Sequence, residues 1–148
     1  MEPAMPRIAL ILALLGLVPF VGGAVANHVA EGGYLGWARY SMPVYAAVIL
    51  SFLGGAQWGF ALAPGGDHSW RSFRLIAAMV PPVAAWLVLL LPQITPQLRY
   101  LILAGCLVLW AVIDHLFARQ GWGPDWYPRL RWPVTAAAAL SLVAGSQF

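Results

Sequence analysis

Asp114 is the one carboxylate that falls well inside an apolar run, and its setting defines the chemistry open to this chain. An ionisable group inside a bilayer is costly unless it is neutralised by a partner or serves a site of proton or ion movement. Asp114 precedes Arg119 by five residues, which puts it roughly 7 Å from the end of its run at 1.5 Å per residue. Arg71, Arg74, Arg129 and Arg131 are all expected on that side of the membrane. Pairing with one of them, locking Asp114's helix to a cytoplasmic loop, is the expected role. A proton or cation site would instead need Asp114 to face a water-filled cavity.

Gln57 and Trp58 fall at a similar depth in an earlier run, so Gln57, Trp58, Arg71, Arg74, Asp114 and His115 form a candidate polar cluster in the inner third of the membrane. A glutamine there bridges helices through hydrogen bonds of about 1 kcal/mol or less. Trp58 is expected to pack or to anchor at the interface, and His115, four residues before Arg119, to reach the headgroups. A second set, Trp122, Asp125, Trp126, Tyr127, Arg129 and Arg131, forms a candidate interface loop. It suits either an interfacial aromatic belt or the docking of a partner or lipid headgroup.

Other chemistries lack their residues. His28 and His68 are expected on opposite sides of the membrane and Cys106 is the single cysteine, so the clustered ligands that tetrahedral zinc needs do not assemble. The patterns G-x-S-x-G and H-E-x-x-H and a phosphate-binding loop are absent. The expectation is a non-enzyme with no cofactor, metal or catalytic residue. All eight basic residues are arginine and the net charge is +3, but they lie scattered at helix ends. Lipid headgroups, not nucleic acid, suit that distribution.

The elements that position these residues are set by composition. Of 148 residues 61% are hydrophobic and only 9% charged, against roughly 25% charged in soluble domains. A bilayer core of about 30 Å needs roughly 20 apolar residues per helix. The apolar runs predict an all-α polytopic membrane protein, a single domain over 1–148 with about five transmembrane helices near 6–26, 43–63, 72–91, 98–118 and 131–145. Ala24-Val25-Ala26 resembles a signal cleavage site, yet the first run is long for a signal core and is read as a retained span. Asn27, His28 and Glu31 end it, and Tyr34, Trp37 and Tyr40 suggest a short interfacial helix before the second span. Pro64-Gly65-Gly66-Asp67 makes the next turn. Pro81-Pro82 predicts a kink within the third span, and Pro19 a milder bend in the first. The start of the fifth span reaches back towards Tyr127. Arg7, Arg71, Arg74, Arg119, Arg129 and Arg131 fall on one side and Arg39 and Arg99 on the other. The positive-inside rule then places the N-terminus in the cytoplasm and the C-terminus in the periplasm of a bacterial inner membrane.

Ala47, Ser51, Gly55, Gly59 and Ala63 recur at a spacing of four and predict a helix-packing face. Packing within one bundle is the expected use, with a dimer interface as the alternative. Ala137, Ser141 and Gly145 repeat the device on the fifth span.

YAAVILSFLGGAQWG at Tyr45 to Gly59, with LGLVPF at Leu15 to Phe20, VPPVAAW at Val80 to Trp86 and DWYPRLRWPVTA at Asp125 to Ala136, resembles the transmembrane protein 69 family, a domain of unknown function numbered 3429. The resemblance covers nearly the whole chain. It implies a five-helix membrane protein, bacterial or mitochondrial, and brings no activity, substrate or cofactor. Where the family pattern often has histidine or arginine, this chain has Gln57, which speaks against catalysis at that position. The functional expectation is an accessory, assembly or scaffold subunit whose partners are the bilayer and other membrane subunits or a second copy. The alternative is a small-solute, ion or proton carrier using Asp114 and the Pro81-Pro82 break.

Overall fold

The computed structural model describes residues 4–64 and 70–148. The turn residues Gly65, Gly66 and Asp67, together with His68, lie outside them. Six helices follow one another: α1 (Arg7–Val29), α2 (Gly33–Leu62), α3 (Arg71–Ala78), α4 (Val80–Leu90), α5 (Pro96–Arg119) and α6 (Tyr127–Gly145). α1, α2, the α3–α4 pair and α5 are each long and apolar enough to cross a membrane. α6 packs against α5 and α1 as the fifth rod of the bundle.

The first helix ends at Val29, between His28 and Glu31 as expected, with Asn27 buried in its last turn, where tertiary partners take both hydrogens of its amide nitrogen. One boundary differs from the sequence expectation, because backbone hydrogen bonding inside a bilayer favours unbroken helices. Tyr34, Trp37 and Tyr40 do not form a separate interfacial helix but are the exposed first turns of α2. The 30 residues of α2 span about 45 Å at 1.5 Å per residue, longer than an apolar core of about 30 Å. Its aromatic first turns therefore reach the interface.

The break expected at Pro81-Pro82 falls at Met79, between α3 and α4. Proline has no N–H, so the carbonyls of Ala77 and Ala78 lose their partners one turn on. The freed Ala78 carbonyl turns towards α2, where a β-carbon on Gly54 would lie 2.3 Å from its oxygen. Gly54, and not its neighbour Gly55, is the glycine that close helix approach requires.

The predicted packing face is thereby corrected. Ser51, Gly55, Gly59 and Ala63 are exposed and Ala47 is half-buried, and a β-carbon added at Gly55 or Gly59 would meet nothing within 4 Å. The inward face of α2 runs instead through Ala46, Leu50, Leu53, Gly54, Gln57 and Ala61. The stripes are adjacent in sequence yet about 100° apart around a 3.6-residue helix. In α6 likewise the buried line is Arg131, Thr135, Ala138, Ala139, Leu142 and Gly145, while Ala137 and Ser141 are half-buried.

Candidate functional site

α2, α5 and α6 meet at a buried hydrogen-bonded group. Gln57 Nε2 donates to Asp114 Oδ1 at 2.7 Å and Arg131 Nε donates to Asp114 Oδ2 at 2.9 Å. Arg131 Nη1 donates to the Thr135 hydroxyl one turn along α6. Asp114 is 1% exposed and Arg131 6%. An ion pair so buried is tolerated because each oxygen of the carboxylate has a donor and the two charges cancel. Chemically, a carboxylate held on both oxygens is a fixed acceptor that clamps three helices.

The six residues expected as one cluster therefore separate. Gln57 and Asp114 come together as predicted, and the ion-pair partner is Arg131, one of the four arginines expected as candidates and also a member of the expected interface loop. Arg131 lies inside α6, so the pair joins two helices of the bundle and not a helix to a loop. Thr135 was missed; its position four residues after Arg131, on the same helical face, was the available signal. Trp58 points outward, and the His115 ring packs edge-on against Trp132 at 6.3 Å. Each directly follows a residue of the buried group and so lies about 100° round its helix from it. Arg74 is buried elsewhere, donating from Nη2 to the Trp122 carbonyl at 2.8 Å with its guanidinium 5.1 Å from the indole centroid. Arg71 begins α3 half-buried.

Much of the expected interface loop folds inward. Trp122 packs on Phe117 at 5.2 Å beside Arg74, and Tyr127 packs on Phe60 at 5.1 Å. Trp126 is half-buried, whereas Asp125 and Arg129 are exposed. The segment works as a lid over the ends of α2, α3 and α5, because its aromatic rings are the largest apolar surface available to cover them.

A second polar knot closes the opposite end of the bundle. Asn27 Nδ2 donates to the Tyr100 hydroxyl at 2.7 Å and to the Gly145 carbonyl at 2.9 Å, and the Tyr100 hydroxyl donates to the Arg39 carbonyl at 2.9 Å. The Arg39 guanidinium stands 4.0 Å from the Phe148 ring centroid. Four helices are tied there through a residue in the last turn of α1. Among the described residues no three His, Cys, Asp or Glu side chains come together to hold a metal ion.

Residues 5–146 match the family described as Protein of unknown function (DUF3429). The chain belongs to this family. Its relatives include Transmembrane protein 69 of Xenopus tropicalis, 34% identical over 138 residues that make up 93% of this chain and 53% of that protein. Transmembrane protein 69 of Mus musculus is 27% identical over 138 residues, 93% of this chain and 55% of the relative. The chain thus spans about half the length of these curated relatives. No solved structure matches it. For the family member described here, the chain is an integral membrane protein with an all-α polytopic bundle, and the motifs YAAVILSFLGGAQWG and DWYPRLRWPVTA supply Gln57 and Arg131 to the Asp114 clamp.

Proposed function

We propose that the protein is an accessory subunit of a larger membrane assembly, holding a transmembrane helix of another protein against the outward face of α2. The observation that carries this reading is the exposure of Ser51, Gly55, Gly59 and Ala63, where a β-carbon at either glycine would meet nothing within 4 Å. Phe52 and Trp58 are exposed beside this line and give the shallow groove its bulky edges. Lipid tails gain little from such a groove, whereas a helix backbone can approach it closely, with van der Waals contact driving association. The Asp114 carboxylate, held by a donor on each oxygen, supports a structural role over a carrier one. The arginine bias supports a cytoplasmic N-terminus in a bacterial inner membrane.

The test is mild-detergent affinity capture followed by mass spectrometry, with wild type beside Gly55→Leu and Gly59→Leu. Because neither glycine packs inside the bundle, both variants should fold and elute as wild type does, yet lose a membrane protein that wild type retains. Capture of a second copy alone, or retention of the same partner by both leucine variants, would overturn the reading. A wild-type ion flux in proteoliposomes that Asp114→Asn abolishes without loss of folding would favour the carrier.

A further inference from the structure

A cleft of about 400 Å³ opens between α1, α2 and α6, within the size range of small-molecule sites. Its long walls are apolar: Leu17 and Phe20 of α1, Ile49 and Leu53 of α2, and Val134 and Ala138 of α6. α1 and α2 run antiparallel, so Ala9, Phe60 and Tyr127 share one end of the cleft while Phe20 and Ile49 share the other. The first of these ends is polar, with Tyr127, Arg131 and Thr135 lining it.

That end carries an unmet demand. Arg131 Nη2 and the Tyr127 hydroxyl are both buried and lie against each other, and neither makes a well-aligned hydrogen bond among the described residues. The other two arms of the same guanidinium are fixed on Asp114 and Thr135, so the side chain cannot swing away to find one. A buried donor without an acceptor is destabilising, and two beside each other on the wall of an apolar slot favour a ligand that brings an acceptor. Water is a poor tenant of the slot as a whole, because its walls offer too few polar groups to hold it.

We propose that the cleft binds a long-chain carboxylic acid in its uncharged form, with the carbonyl oxygen accepting from Arg131 Nη2 and the Tyr127 hydroxyl and the chain lying between α1 and α2. Asp114 already neutralises Arg131, so the head needs to be an acceptor and not a strong anion. Both donor atoms lie below the protein surface, where a small carboxyl head reaches them and a bulky phosphodiester head does not. The chain supplies the apolar surface that the walls require, worth about 0.8 kcal/mol per buried methylene.

The experiment is native mass spectrometry of the purified protein, released from mild detergent after titration with oleic acid in one arm and phosphatidylcholine in the other. Wild type should show one saturable oleate adduct per chain and no saturable phospholipid adduct. Ala13→Phe, which fills the cleft from α1 without touching the polar group, should abolish the adduct. Tyr127→Phe keeps the ring packed on Phe60 and removes only the hydroxyl, and should weaken binding by roughly tenfold. Circular dichroism and elution volume establish that both variants are folded, and Tyr127→Phe carries the test should Ala13→Phe not fold. Absence of a saturable oleate adduct, equal binding by wild type and Tyr127→Phe, or a saturable phospholipid adduct in place of oleate would overturn the assignment.

Discussion

Arg131→Met removes the guanidinium while keeping an unbranched apolar side chain of comparable reach, and it leaves Asp114 Oδ2 without its donor at 2.9 Å. From the sequence, Asp114 stood near the interface, where water would soften such a loss. At 1% exposure no water reaches it. Breaking a buried ion pair from one side costs about 3–5 kcal/mol in soluble proteins, and the lower bound is the better guide here because polar contacts between membrane helices measure about 0.6 kcal/mol on average and 1.7 at most. A loss of about 3 kcal/mol is expected. Asp114→Asn strands the cation instead, but Arg131 sits one turn inside α6, about 6 Å from its start, and its long side chain can extend to the interface. Its expected loss is smaller, about 1–2 kcal/mol. In the double variant the asparagine still receives the Gln57 hydrogen bond and no charge is buried. Its loss should fall below that of Arg131→Met alone, giving a coupling on the order of 2 kcal/mol, or about 30-fold in the unfolding constant. Reversible unfolding in mixed micelles by increasing mole fraction of sodium dodecyl sulfate, read by tryptophan fluorescence, measures all four corners of the cycle. Losses that add within about 0.5 kcal/mol would show that the two groups do not act as one clamp.

The same unfolding measurement separates two neighbouring glycines. Gly54→Ala places a methyl 2.3 Å from the Ala78 oxygen and should cost about 1–3 kcal/mol, whereas Gly55→Ala, with open space around it, should stay within about 0.5; equal losses would show that α2 does not press on the α3–α4 break through Gly54. At the other end of the bundle, Tyr100→Phe removes the hydroxyl shared by Asn27 and the Arg39 carbonyl and should cost about 1–2 kcal/mol. Adding Asn27→Ala to it should cost less than the sum of the two single changes, and strict additivity would mean that the two side chains do not share a network.

The chain itself determined that it lives in a bilayer, that it folds as an all-α bundle of apolar helices and where the third predicted span breaks, because each of these depends on local quantities: run length, charge scarcity and the missing N–H groups of Pro81 and Pro82. It also determined that Asp114 needs a cationic partner on its own side of the membrane. Tertiary structure decided that the partner among the four candidate arginines is Arg131, that Asn27 at the end of α1 is also a buried tie to Tyr100, and that Gly54 faces inward while Gly55 and Gly59 face out. These facts were hidden for one physical reason. In water, hydrophobic residues mark the inward face of a helix, but in a bilayer the surroundings are as apolar as the core, so Val48 and Leu50 look alike although Val48 meets lipid and Leu50 is fully buried. A spacing of four then reveals that a helix has a smooth face, and only the positions of the other helices decide whether that face closes the bundle or is left for something outside it.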